Sequence, residues 1–376
     1  MKFFKPIKKM HYQRFNPRLV WVGSALDAIY PLVAGFERTW VGKEPTIKDP
    51  LRILLLESHL IGDTVLMTPL IHALKLRFPE AEIHLLGNPW ARDILGPLGL
   101  ITSFISQKIP WATHDYSYKN LKAFIGCLKR LRETPFDLAI EPRGDARNVV
   151  VLWATGAKRR LGLGWTGATK YLTEVAPSPP WDAHLLDAKF SVLRPLGISG
   201  EPLAPTLMVD PAMRKSLPEI LRPLRQRAGD RPLVGFHPGG SQIERCLDKE
   251  QQMTLLRSLW DEGYFPVILG SPAEKKALSL MMQTYGGQGA VFGEPLPMAM
   301  AFLQQVDGFL GMDSGPAHIA AALGTRTLVL VEPIKAGITT PRGPNSVWYP
   351  LKIDRPLTPA HYSEIMNSLK ALMSRP

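Results

Sequence analysis

The stretch Val306–Leu330, VDGFLGMDSGPAHIAAALGTRTLVL, decides the fold. It reads as a strand, a sharp loop, a helix and a second strand. The loop Asp313-Ser314-Gly315-Pro316 ends an apolar run and opens a helix carrying Ala317, His318, Ala320, Ala321 and Ala322. Ser314 suits the cap, Gly315 lets a backbone approach closely, and Pro316 fits the first helical turn. Such a start aims backbone N–H groups and the positive end of the helix dipole at one point, which suits a phosphate. A plain, well-capped helix explains the same residues.

Outward from this stretch, the second half of the chain repeats the rhythm. Leu233–His237 (LVGFH) reads as a strand, followed by the loop Pro238-Gly239-Gly240-Ser241. Lys249–Trp260 is helical, and Phe265–Leu269, Phe309–Gly311 and Thr327–Val331 are further strand material. In the first half, Arg52–Leu56 (RILLL) is a strand, Asp63–Phe78 a helix and Glu82–Leu86 the next strand. Leu121–Leu131 is a basic amphipathic helix, followed by the strand Phe136–Ile140. Strand, helix, strand in this order predicts parallel sheets. Prolines 177, 179, 180, 195, 202 and 205 punctuate the middle and place the linker near 197–210. The expectation is α/β: an extension over 1–50, one domain over 51–205 and a second over 206–376, with ligands at the carboxyl ends of the strands.

Three loops fall at such ends. In Glu57–Thr64, Asp63 sits at a helix start, where the dipole favours a carboxylate. It reads either as a capping residue or as a general base that takes a proton from an attacking hydroxyl. His59 is a second candidate. HPGGS at 237–241 can wrap a phosphate, and with the Asp313 loop it points to a diphosphate or nucleotide ligand. There is no GxxxxGK[ST] and no GxGxxG pattern, which argues against kinase, ATPase and ordinary dehydrogenase chemistry. Cys127 and Cys246 lie far apart without metal-like spacing, so neither zinc nor a disulfide framework is expected.

The 376 residues carry a net charge of +12, with 45% hydrophobic and 21% charged residues. That composition fits a globular protein of two domains, and no apolar run reaches the roughly 18–20 residues that span a bilayer. No secretory signal is read at the start. Lys2, Lys5, Lys8, Lys9, Arg14 and Arg18 precede the first acidic residue, Asp27. Phe3, Phe4, Tyr12, Phe15 and Trp21 lie among or just after them. Basic residues interleaved with aromatics suit an anionic membrane surface; an arm packed across the body reads equally well. No nucleic-acid-binding motif follows, and none is expected as a partner.

Taken together, ILLLESHLIGDTVLMTPLIHALKLRFPEAEIHLL, VGFHPGGS and the Val306–Leu330 stretch resemble family 9 glycosyltransferases, the lipopolysaccharide heptosyltransferases. FDLAIEPRGDARN and ATGAKRRLGLG are similar to the family's acceptor-side half, and the likeness spans roughly residues 51–335. The resemblance implies a GT-B fold, with two Rossmann-like domains facing a cleft. It implies inverting, metal-independent transfer from a nucleotide-diphosphate sugar, ADP-heptose in the best-known members, with no further cofactor. Asp63 corresponds to the catalytic base. Asp313, Ser314, Gly315 and Pro316, with His318 after them, correspond to the donor-diphosphate loop. Gly239, Gly240 and Ser241 match the other donor loop, and Glu274 falls where the family holds an acidic residue near the ribose.

One step departs from the family. Where Lys-x-Trp is usual, this chain has Glu244 and Cys246, leaving Arg245 as the nearby cation; Lys335 is a second cation in an altered loop, EPIKAG. Arg143, Arg147, Lys158, Arg159 and Arg160 form a basic group, read either as a solvated face or as contacts to an anionic glycolipid acceptor. The resulting expectation is a cytoplasmic enzyme at the inner membrane, touching it through residues 1–45 and adding heptose to a lipopolysaccharide core. Another nucleotide sugar, a protein acceptor or a catalytically silent scaffold are the alternatives. Replacing Asp63 by Asn or Ala is expected to abolish transfer with little loss of fold.

Overall fold

The computed structural model describes residues 17–38, 50–180, 182–240, 246–284, 288–352 and 357–375. Ser241, Glu244, Arg245 and the basic residues before Pro17 lie outside them. The chain divides into two units, Met1–Arg92 with Gly99–Leu203, and Asp93–Leu98 with Ala204–Pro376.

In the first unit the strands are β1 (Arg52–Glu57), β2 (Glu82–Gly87), β3 (Ser103–Ser106), β4 (Leu138–Glu141), β5 (Arg159–Leu163) and β6 (Glu174–Ala176). All pair in parallel, in the order β3-β2-β1-β4-β5-β6. The helices of this part of the chain are α1 (Pro17–Arg38), α2 (Ile61–Val65), α3 (Thr68–Arg77), α4 (Trp90–Leu95), α5 (Pro110–Thr113), α6 (Tyr118–Glu133), α7 (Ala146–Ala154) and α8 (Leu185–Ser191). The continuous run RILLL can only be a strand covered on both faces, and Ile53–Leu56 are fully or almost fully buried. Leu54 and Leu56 pack with Phe124, Leu131, Phe136 and Leu152.

The helix expected over Asp63–Phe78 is two helices. Pro69 has no N–H to give the carbonyl of Val65, and the Thr68 hydroxyl donates to it instead at 3.0 Å. The ladder breaks there, and α3 starts afresh with Pro69 in its first turn.

Part of the segment read as an extension is α1, docked on the first unit. Leu26, Tyr30 and Val33 pack against Val149, Val150, Trp153 and Tyr171. Gly23 lies so close to Thr166 and Gly167 that a Cβ would collide with their backbone. The Tyr171 hydroxyl donates to Leu26 O at 3.2 Å, and Asp27 accepts from the Lys170 N–H at 3.0 Å.

In the second unit the strands are β7 (Leu233–His237), β8 (Phe265–Leu269), β9 (Ala290–Phe292), β10 (Gly308–Met312), β11 (Thr327–Val331) and β12 (Ser346–Pro350). Their order, β12-β11-β10-β7-β8-β9, is again all parallel and winds as the first sheet does. The helices are α9 (Pro211–Ala228), α10 (Lys249–Asp261), α11 (Lys275–Thr284), α12 (Leu296–Gln305), α13 (Gly315–Ala322) and α14 (Pro359–Met373). Val234, Phe236, Leu255, Ile268, Leu310, Leu330 and Ile365 share one core. Strands β7, β8 and β11 fall where the sequence placed them.

Both sheets reverse winding between their first and fourth strands, β1 and β4 in one, β7 and β10 in the other. Connections leaving such neighbours in opposite directions open a crevice at the carboxyl ends, where open α/β sheets bind ligands. The expected α/β, doubly Rossmann-like fold is therefore the one observed.

Candidate active site

In the first unit the crevice is lined by the residues after β1 (58–63) and after β4 (142–145). Asp63 does not cap: Leu60 holds the N-cap of α2 and Asp63 lies buried in the first turn. Its Oδ1 forms an ion pair with Nη1 of Arg143 and lies 3.6 Å from Nζ of Lys189. Lys189 is fully buried and also pairs with the Glu57 carboxylate. Burial alone would raise Glu57, but Lys189 and the hydrogen bond from His59 outweigh it and hold the carboxyl below its ordinary value. Two carboxylates and two cations thus neutralise one another at the end of β1.

His59 stands on the other side of Glu57. Its ring lies 3.4 Å from Glu57 Oε1 and 3.6 Å from Asp145 Oδ2. Burial and Arg143 push its pKa down, and the bonds to Asp145 and Glu57 overcome them to leave it raised. Asp145 caps α7 and receives a bidentate grip from Arg147 at 3.0 and 2.6 Å, which with His59 overcomes burial and keeps it well below the carboxylate range. Asn88 at the end of β2 donates to the carbonyls of Ser58 and His59 at 2.9 and 3.3 Å. Glu141, fully buried, accepts from Gly144 N and Asn148 Nδ2, and burial still pushes it up to about 7.

Of the expected acceptor residues, Arg143 and Arg147 belong to this crevice; Lys158, which pairs with Asp137 at 2.9 Å, Arg159 and Arg160 do not. Arg159 pairs with Glu174 along the sheet at 2.8 Å. Arg160 is buried, and its guanidinium donates to the carbonyls of Tyr171 and Ala157, both at 2.8 Å. Its charge serves packing inside the first unit. Arg159 and Arg160 open β5 at its amino end, away from the carboxyl ends that line the crevice, which the string KRR does not reveal.

In the second unit the crevice is formed by the residues after β7 and β10, joined by register between Gly311 and His237. Ser314 occupies the N-cap of α13 without a capping bond; its hydroxyl lies 3.1 Å from Nδ1 of His237 and ties the two loops together. Gly240 N–H donates to Cys246 Sγ at 3.1 Å, closing the glycine turn. Asp313 Oδ1 lies 3.5 Å from His318 Nε2, and its Oδ2 accepts from Thr339. Burial would raise Asp313, but His318, Thr339 and the nearby Lys335 charge lower it. Helix geometry leaves the Gly315 and Ala317 amides without intrahelical acceptors, and Pro316 has no N–H to satisfy. Glu274 is exposed and caps its own turn, accepting from the Ser271 amide and hydroxyl at 2.8 and 2.7 Å. Among the described residues no cluster of His, Cys, Asp and Glu has the makings of a metal site.

Burial depresses His237 to about 4. The folded state therefore binds fewer protons than the unfolded one between the ordinary histidine value and about 4. This contribution is intact above that window and is lost as pH falls through it. Glu141, raised to about 7, works in the opposite direction, losing its contribution as pH rises. Urea unfolding at pH 7 and pH 5 separates the two: His237→Asn should reduce the acid-side loss by on the order of 1–2 kcal/mol. An unchanged difference between the two pH values would show that His237 is not buried neutral.

Sequence reading missed Glu57, Lys189 and Asn148, which no local motif marks. Among known proteins, the chain is 26% identical over 288 residues to lipopolysaccharide heptosyltransferase 3 of Escherichia coli, covering 72% of this chain and 80% of the relative. A family 9 glycosyl transferase from Veillonella parvula superposes with a TM-score of 0.72 at 16% identity, covering 87% of this chain and 98% of that one. E. coli ADP-heptose lipopolysaccharide heptosyltransferase II superposes at 0.68 with 20% identity, covering 85% and 98%. The description glycosyltransferase family 9 (heptosyltransferase) matches residues 126–356. With two like-wound parallel sheets and loops of the expected chemistry at each switch point, this chain belongs to glycosyltransferase family 9 and is a glycosyltransferase of the heptosyltransferase kind.

Proposed function

We propose that the enzyme transfers heptose from ADP-heptose to a lipopolysaccharide core acceptor, with inversion and without a metal. The observation that carries this reading is Asp63, a buried carboxylate at the switch point of the first sheet, gripped on Oδ1 by Arg143 and Lys189. The grip fixes the carboxylate, which takes the acceptor's hydroxyl proton. The acceptor oxygen bonds to the anomeric carbon as the bond from that carbon to the diphosphate oxygen breaks. ADP leaves with the negative charge, held by the amides of Gly239, Gly315 and Ala317 and by the dipole of α13. Lys335 and Arg245 replace the cation of the usual lysine. Arg143 and Arg147 face the anionic acceptor, Glu274 the nucleotide ribose, and His318 holds Asp313 in place. The enzyme works at the cytoplasmic face of the inner membrane, touching it through residues 1–45. Among the described residues no helix is long and apolar enough to cross a membrane.

The test is binding followed by transfer. ADP at about a hundred times its dissociation constant should stabilise the protein by about 2.7 kcal/mol, read as a rise in melting temperature, while UDP and GDP do not. Purified enzyme should then move labelled heptose from ADP-heptose to a core-truncated lipopolysaccharide. A rise with UDP or GDP alone would assign a different nucleotide sugar, which the replacement of Lys-x-Trp by Glu244 and Cys246 makes the leading alternative.

A further inference from the structure

The face of α1 turned away from the first unit is built unlike a solvated helix surface. Arg18, Trp21, Val22, Ala25, Ala28, Ile29 and Leu32 are all exposed and recur at three- and four-residue spacing. They form one stripe along the helix. Trp21 and Leu32 are each 79% exposed. The opposite stripe, with Gly23, Leu26, Tyr30 and Val33, is the docked one. Asp27, the only acidic residue between Pro17 and Leu32, accepts from Lys170 and lies off the outer stripe. A helix is thus fixed rigidly to the unit by one face while presenting a large apolar surface without negative charge on the other.

We propose that this outer face of α1 docks on an anionic phospholipid bilayer, with Trp21, Val22, Ile29 and Leu32 in the interfacial layer. The inference deepens the membrane contact proposed above for residues 1–45 by naming the residues and the lipid charge. Charge complementarity selects this occupant. Lys2, Lys5, Lys8, Lys9 and Arg14 precede the helix with no acidic residue among them, and Arg18 opens the stripe. On α6, which also packs on α7, Tyr118, Leu121 and Ile125 are exposed among Lys119, Lys122, Lys129 and Arg130. Apolar side chains that enter the acyl boundary beside cations that meet anionic headgroups are the two halves of interfacial binding.

The experiment is co-sedimentation of the full chain with vesicles of phosphatidylcholine alone and of phosphatidylcholine with phosphatidylglycerol. It compares wild type, Trp21→Ser/Leu32→Ser, and a variant lacking residues 1–16. Wild type should bind the anionic vesicles preferentially. The double variant should lose about tenfold or more in partitioning, at an unchanged melting temperature. The truncated variant should keep part of the binding and show a weaker salt dependence, from Arg18 and the α6 cations that remain. Equal binding by wild type and the double variant would overturn the role of α1 while leaving contact through residues 1–16 standing. No binding by any form would overturn both. A fall in melting temperature without vesicles would show that the face is covered by the chain itself. A dimer abolished by the double variant would assign the face to a second copy. Either result overturns the proposal, and transfer assays on a soluble acceptor keep all of these apart from the catalytic reading.

Discussion

Asp63→Asn should lower the rate of transfer by about 10²–10⁴-fold, the span ordinarily supplied by a positioned general base. The amide keeps the shape of the carboxylate but cannot take the acceptor's proton. Donor binding should survive, because the loops proposed to hold the donor lie in the second unit. The sequence alone leads one to expect little loss of fold, and the ion pairs change that. Lys189 addresses Asp63 from a fully buried position and Arg143 from a half-buried one. Asn still accepts hydrogen bonds but neutralises neither cation, at a cost of about 1–3 kcal/mol. Ala removes the partner altogether and should cost about 3–5 kcal/mol. Turnover within a few-fold of wild type for a folded Asp63→Asn enzyme would eliminate Asp63 as the base.

Lys189→Met should cost about 3–5 kcal/mol of stability by urea unfolding, as much as Asp63→Ala. The substitution keeps much of the volume and removes the charge, leaving Glu57 and Asp63 as buried carboxylates with one cation fewer. The pH dependence follows from Glu57, whose carboxyl is held below its ordinary value against strong burial. In wild type its contribution is present above the unfolded value and is lost only as pH falls through the lowered one. Without Lys189, burial dominates and the carboxyl takes its proton nearer neutrality. The stability of the variant should therefore rise as pH falls through that raised value, the reverse of wild type, because the proton removes an unbalanced buried charge. Glu57→Gln in the same background should recover much of the lost stability, because it removes the charge that Lys189 balanced; the coupling is read from the double-mutant cycle. A Lys189→Met enzyme within about 1 kcal/mol of wild type would show that the buried cation is dispensable.

What the sequence by itself determined is local. RILLL, LVGFH and TLVLV are continuous apolar runs of strand length, so each had to lie inside a sheet covered on both faces. The glycine pair, the DSGP helix start and Asp63 lie within a few residues of such runs, so their place at strand ends was legible as well. The pairing of Asp63 was not. Arg143 lies 80 positions from it and Lys189 lies 132 positions from Glu57; the strand order that sets β4 beside β1 brings in the first, and α8 packed on α3 brings in the second. For the same reason the string KRR could not tell Arg160, spent on backbone carbonyls, from a residue that meets a ligand. Ser314 looked like a cap until β7 placed His237 beside it. The basic, aromatic beginning of the chain left an arm and a membrane surface equally open, and Gly23 against Thr166 and Gly167 decided that α1 is docked by one face. Periodicity and turn chemistry act over a few residues and can be read along the chain. Charge neutralisation and close backbone contact act through space, and only the folded sheets decide them.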